Sequence, residues 1–295
     1  MNPFLKSFIV ICGLAMTGQI LISCKKSAHP ITNSSLILNG NMNLVYQSCG
    51  NGDTTLLFIH GWCINKEYWQ PQFENFCNRY KVVAPDLPGF GLSGKNRTDW
   101  SFETYAQDIK NLIEQLNLKN VILIGHSMSG DLVLKTDVAY PDHIIGLIGI
   151  DNLHQPGKPM DSIQQAGTDS FFQAMLANYQ STVEKEMPPY LFQSSTPDSI
   201  KQRVMKDILQ TDPVISVEVS RAQVTISQQE QDMMRQIHHP LCLVNSDAFP
   251  TRLDSLNNYC AHGTKLYLIP GSGHYPMIEQ PSAFNNALQR AIWRQ

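Results

Sequence analysis

Short apolar runs alternate along this chain with stretches that carry apolar residues at helical spacing, and this alternation restricts the fold more than any other feature. Residues 54–59, 81–84, 121–124, 144–150, 240–245 and 264–269 read as strands, because each run is short, continuous and largely β-branched or aliphatic. Helical stretches around residues 66–77, 101–116, 131–139, 252–261 and 282–293 separate them. In 101–116, Tyr105, Ile109, Leu112, Ile113 and Leu116 share one face. A strand that is apolar on both sides has to be covered on both sides. The pattern therefore predicts an α/β fold, a mostly parallel sheet between helical layers. Residues 36–39 and 43–47, flanking Gly40-Asn41, read as a hairpin ahead of it.

The alternation breaks between 152 and 239. This stretch is rich in Gln, Ser and Met and reads as helices over 169–186, 197–209 (with Thr196 as N-cap) and 213–235 in one or two pieces. It is expected to be a helical insertion packed over the carboxyl ends of the strands. With 295 residues, 42% apolar and 16% charged, the chain can bury one large core with such an insertion, or two domains. A net charge of −3 gives no reason to expect nucleic acid as a partner.

The first residues read as a leader. Lys6 precedes an apolar run over 8–22 that Gly13, Thr17, Gly18 and Gln19 interrupt. A membrane-crossing helix needs about 20 apolar residues, so a secretory signal is the better reading. Leu21-Ile22-Ser23-Cys24 resembles the lipobox of bacterial lipoproteins. That resemblance implies cleavage before Cys24, lipid on its thiol, and a membrane-anchored protein at the bacterial cell envelope, in the periplasm or at the outer membrane. A plain signal peptide, or an uncleaved anchor with Cys24 incidental, is the alternative. The expected division is 1–23 signal peptide, 24–35 tether, 36–151 first part of the core, 152–239 cap and 240–295 second part of the core. Cysteines 49, 63, 77, 242 and 260 follow, an odd set that permits disulfides in an oxidising compartment but leaves at least one thiol free.

Chemistry concentrates where strands end. Val121-Ile122-Leu123-Ile124 runs into Gly125-His126-Ser127-Met128-Ser129-Gly130 and then a helix, a sharp turn that would lift the Ser127 hydroxyl above the sheet. Gly125 supplies the small residue that the close packing needs, and Ser129 stands where the pattern usually has glycine. Asp247 and His274 also follow separate strands, and loops at the carboxyl ends of a parallel sheet converge on one crevice. A serine hydroxyl needs a base to take its proton, and the base needs a carboxylate to fix its tautomer. Ser127, His274 and Asp247 are the expected nucleophile, base and acid. Asp151 also ends a strand and is the alternative acid. The backbone N–H groups of Met128 and Trp62 are the expected oxyanion donors.

With these residues in place the chain resembles the α/β-hydrolase superfamily over residues 36–293. The resemblance rests on His60-Gly61-Trp62, the Asp86-Leu87-Pro88-Gly89-Phe90-Gly91-Leu92-Ser93 loop, Gly125 to Gly130, Asp247, and Gly273-His274-Tyr275-Pro276 through Pro281. It implies a helical cap after the sixth core strand but does not fix a substrate; the triad chemistry points to a small-molecule substrate and needs no metal or organic cofactor. A carboxylesterase-like serine hydrolase acting through an acyl-enzyme is the first reading. A C–C bond hydrolase or an aminopeptidase, with Glu184 and Glu186 as an amine-binding patch, uses the same triad. A ligand-binding protein that retains the pocket without turnover is the reading from another class. Asp86 is expected to order its loop and Glu279 to support the histidine loop. His60 and His126 are expected to shape turns.

Overall fold

A computed structural model describes residues 29–295. The leader, the lipobox-like run and Cys24 lie outside the described residues. Eight strands form one sheet: β1 (Thr32–Leu38), β2 (Met42–Cys49), β3 (Thr55–Ile59), β4 (Lys81–Pro85), β5 (Val121–His126), β6 (Ile144–Ile150), β7 (Leu241–Ser246) and β8 (Thr264–Ile269). Their order across the sheet is β1-β2-β4-β3-β5-β6-β7-β8. Strand β2 runs against both its neighbours, and the strands from β4 to β8 are parallel. Every residue of β3, β5 and β7 is buried, as their two-sided apolar sequences require.

The core helices are α1 (Gln70–Phe76), after a 3-10 turn over Lys66–Trp69, then α2 (Phe102–Gln115) and α3 (Ser129–Ala139). The Ser101 hydroxyl accepts the Thr104 N–H and starts α2, whose Tyr105, Ile109, Leu112 and Ile113 are buried against the sheet. Six helices then lie between β6 and β7: α4 (Ser162–Ala177), α5 (Tyr179–Glu186), α6 (Pro188–Leu191), α7 (Asp198–Gln210), α8 (Pro213–Ser227) and α9 (Glu230–Gln236). Helices α10 (Leu253–Asn257), α11 (Pro276–Glu279) and α12 (Pro281–Ile292) complete the chain.

Two expectations for the insertion change. The long helix expected over 169–186 begins earlier and breaks at Asn178, whose side chain accepts the Ser181 N–H and starts α5. Thr196 does not cap α7. Pro197 occupies that position, and the Thr196 hydroxyl donates to Glu279 Oε2 at 2.9 Å, tying the insertion to the histidine loop.

Two buried links fix the strand-end loops and the far edge. Asp86 Oδ1 accepts the Lys66 N–H, while Oδ2 takes the Lys66 ammonium at 2.8 Å and the Leu92 N–H at 2.9 Å, so the acid orders its loop as expected. Gly91 has φ 53°, and a Cβ there would fall 2.3 Å from the Asp86 carboxyl carbon. A disulfide joins Cys49 at the end of β2 to Cys77 just after α1, and Cys63, Cys242 and Cys260 are free and buried.

Candidate active site

Strand β5 delivers Ser127 at φ 55°, a left-handed backbone that a non-glycine residue adopts only under tertiary constraint. The close packing around it is visible at Gly125, where a Cβ would lie 2.1 Å from the Ser129 carbonyl oxygen. Ser129 departs from the usual glycine without strain, because its hydroxyl donates to the His60 carbonyl at 2.6 Å. The substitution thus adds a tie between the serine turn and the end of β3. Asn152 adds another, its amide donating to the carbonyls of Gly125 at 2.8 Å and Ser127 at 3.2 Å.

His274, in the loop between β8 and α11, meets Ser127 directly. Its Nε2 lies 2.8 Å from Ser127 Oγ, and its Nδ1 lies 2.6 Å from Asp151 Oδ2. With Nδ1–H donating to the carboxylate, Nε2 is left to accept the serine proton. The acid beside His274 is therefore Asp151, and the expectation that favoured Asp247 is corrected. The β6–β7 register supplies the reason. Ile150 pairs with Val244, so Asp247 stands two residues further along its strand than Asp151 does along β6. Asp247 is exposed there, and its carboxylate accepts the Gly271 N–H at 2.8 Å.

Asp151 is buried, yet its carboxylate is held well below its ordinary pKa. Burial alone would raise it, but hydrogen bonds and charge from His274, with the Ser246 hydrogen bond, outweigh that cost. Ser246 donates both its N–H (2.8 Å) and its hydroxyl (2.7 Å) to Oδ1, leaving Oδ2 for the imidazole. Asn245 and Asn152 hydrogen-bond each other across the same strand ends. Residues Asn152, Asn245 and Ser246 carry no signal in sequence beyond lying beside strand-end aspartates.

The histidine loop is held from three sides. His126 Nε2–H donates to the His274 carbonyl at 2.8 Å, and burial pushes its own pKa down to about 3, so the ring stays neutral. Glu279 accepts the N–H groups of Gly273 and Tyr275, the supporting role expected of it. From the insertion, the Leu191 carbonyl accepts the His274 N–H at 3.1 Å. His60 accepts the Leu87 N–H at Nε2, 2.9 Å, and joins two strand-end turns.

Trp62 and Met128 both border Ser127. A Cβ on Gly61 would come within 2.6 Å of His126 Nδ1 and 3.0 Å of Ser127 Cβ, so the His60-Gly61-Trp62 turn lies against the serine. Among the described residues, neither the Trp62 nor the Met128 N–H is spent on another backbone acceptor. Above these groups is a cavity of about 300 Å³. Trp62, Phe171 and Tyr190 line it, whereas Phe172 and Tyr179 are packed inside the insertion. Met175, Met187, Phe249 and Gln223 also line it and were not singled out in the sequence. Glu184 and Glu186 do not line it.

Residues 54–281 match the family model described as alpha/beta hydrolase fold. A protein of Mycobacterium bovis is 33% identical over 103 residues, a match that spans 35% of this chain and only 30% of that protein. The pimeloyl-[acyl-carrier protein] methyl ester esterase of Edwardsiella ictaluri is 25% identical over 262 residues, covering 83% of this chain and 95% of its own. Among solved structures, an esterase from Exiguobacterium antarcticum superposes with a TM-score of 0.78 at 17% identity, over 89% of this chain and all of that one. A parallel sheet with a serine on the turn after its fifth strand, matched by a family model over most of its length, places this chain in the α/β-hydrolase family.

Proposed function

We propose that this protein is a serine hydrolase that cleaves small, uncharged acyl esters through an acyl-enzyme. The observation that carries the reading is the relay from Ser127 Oγ to His274 Nε2 (2.8 Å) and from Nδ1 to Asp151 (2.6 Å) at the base of a largely apolar cavity. Ser127 attacks the carbonyl carbon while His274 takes its proton. Asp151 holds the tautomer and stabilises the imidazolium. The N–H groups of Trp62 and Met128 receive the developing oxyanion, and a single such donor is worth roughly 10²–10³ in rate. His274 then returns the proton to the leaving alcohol, and water, activated by the same imidazole, releases the acid.

The cavity wall supports the substrate class. Trp62, Phe171, Met175, Met187, Leu191 and Phe249 offer apolar surface, and among the described residues no Lys or Arg lines the cavity to meet a carboxylate on the substrate. Its one carboxylate, Asp151, is already committed to His274 and Ser246. An amine-binding acidic patch is therefore lacking, which favours an ester over a peptide N-terminus.

The deciding experiment is fluorophosphonate labelling of residues 25–295, with p-nitrophenyl ester turnover measured alongside. Wild type should label and Ser127→Ala should not. Asp151→Asn should label far more slowly, and Asp247→Asn at nearly the wild-type rate. A folded wild type that neither labels nor hydrolyses any ester would overturn the reading. Comparing a neutral butyrate ester with the hemisuccinate tests the uncharged class, the neutral ester being expected to win clearly in kcat/KM. We further propose lipid attachment at Cys24 and a position at the cell envelope. The leader sequence and a Cys49–Cys77 disulfide, which suits an oxidising compartment, support this. Radiolabelled palmitate incorporation that disappears in Cys24→Ser is the expected result.

A further inference from the structure

The turn that carries Trp62 is bonded to the helical cap. Cys63 has φ 57°, again left-handed for a residue with a side chain, so something beyond local preference has to hold it. The Trp62 indole N–H donates to the Ser216 carbonyl in α8 at 2.9 Å. The Cys63 thiol donates to Ser216 Oγ at 3.5 Å, and Ser216 Oγ lies 2.8 Å from the hydroxyl of Tyr179, the first residue of α5. Tyr179 has one hydroxyl proton, which goes to the Ile208 carbonyl in α7 at 3.1 Å. The chain of donors therefore has one direction: Cys63 S–H to Ser216, Ser216 O–H to Tyr179, Tyr179 O–H to Ile208. Burial pushes the Cys63 thiol up to about 12, so it keeps the proton that this order requires. The Ser216 side chain is wholly buried, and water cannot replace the partners it offers.

We propose that Ser216 and Tyr179 are positioning residues that hold the Trp62 N–H in place for the oxyanion, so that the cap completes the catalytic machinery as well as enclosing the substrate. The proposal rests on the serine-hydrolase reading and on Trp62 as an oxyanion donor. Helix α8 thus holds two consecutive residues of one turn, and α5 and α7 are tied in behind it through Tyr179. If the cap shifts, the turn loses both its side-chain anchors at once. Substrate would still enter an apolar cavity, but the tetrahedral intermediate would lose one of its two donors.

The test is steady-state hydrolysis of a short p-nitrophenyl ester by Ser216→Ala, Tyr179→Phe and Trp62→Phe, each checked for an intact thermal transition. Affinity for a trifluoromethyl ketone, which forms a tetrahedral adduct on Ser127, is measured in parallel. A misplaced donor should cost roughly 10–100-fold in kcat at nearly constant KM, below the full loss of an oxyanion contact. Ketone affinity should fall by the same factor. Tyr179→Phe deletes one oxygen and keeps the ring, which makes it the variant least able to fail by misfolding. Unchanged kcat in folded Ser216→Ala and Tyr179→Phe would overturn the proposal, as would a loss confined to KM. A wild type with no turnover and no ketone binding would instead overturn the hydrolase reading on which it rests.

Discussion

At the scale of single residues, the site depends on one well-supported carboxylate and on a glycine packed against the serine turn. Among the described residues Asp151 is the only carboxylate hydrogen-bonded to the His274 side chain, so on the proposed mechanism Asp151→Asn should lower kcat by roughly 10³–10⁴, as loss of a tautomer-fixing acid does. Asp247→Asn should leave kcat near wild type, since that side chain supports only the Gly271 turn. Gly61→Ala puts a methyl group 2.6 Å from His126 Nδ1 and 3.0 Å from Ser127 Cβ. Either the buried His126 ring or the turn that carries Trp62 has to shift, and both bear on the geometry around Ser127, so on the proposed mechanism activity should drop about 10²-fold or more while the protein stays folded. Steady-state kinetics on one ester, with circular dichroism as the fold control, distinguishes the three variants.

At the scale of elements, the contact between core helix α3 and cap helix α9 contains a pair of buried acids. Asp131 and Glu230 face each other, and Glu230 Oε2 also accepts the Gly157 N–H at 2.6 Å. Burial and then the Glu230 charge raise the Asp131 pKa well above 3.8, and burial raises that of Glu230 above 4.5. The folded pair thus keeps a proton that the unfolded chain has released. Its contribution to stability is fullest below about pH 4 and is lost as pH rises through the folded values. Glu230→Gln removes one charge and can still bond both Asp131 and Gly157. Its melting temperature should exceed that of wild type at pH 8, with the gap closing toward pH 5. Asp151 works in the opposite sense. Its depressed pKa stabilises the fold above the ordinary carboxylate range, and that contribution disappears only in strong acid, as pH falls through the folded value.

At the scale of the whole molecule, the sheet brings residues from distant parts of the sequence to one crevice, and a covalent link secures its far edge. The Cys49–Cys77 bridge closes a loop of 28 residues. Chain-entropy reasoning assigns such a loop about 3–4 kcal/mol. Cys77→Ser, or reduction of wild type, should therefore lower the melting temperature by roughly 5–10 °C in a chain of this size. Activity below the transition should be unchanged, because the bridge lies at the β2 and α1 ends, away from Ser127.

The sequence by itself determined the sheet, its helical layers, the place of the helical insertion between β6 and β7, and the strand-end serine and histidine. Those depend on local period and turn chemistry: four apolar residues before Gly125, small residues around Ser127, and glycines beside His274 leave little choice of local structure. Only the tertiary structure decided which aspartate faces His274. Asp151 and Asp247 both end strands, and their difference is one of register between β6 and β7, a quantity that neither strand encodes alone. The same holds for Thr196, whose hydroxyl met Glu279 rather than its own helix, and for Ser216, Ser246 and Asn152. Each is a polar residue whose partner lies 25 to 154 positions away in sequence, and such a hydrogen bond exists only once the chain has closed on itself.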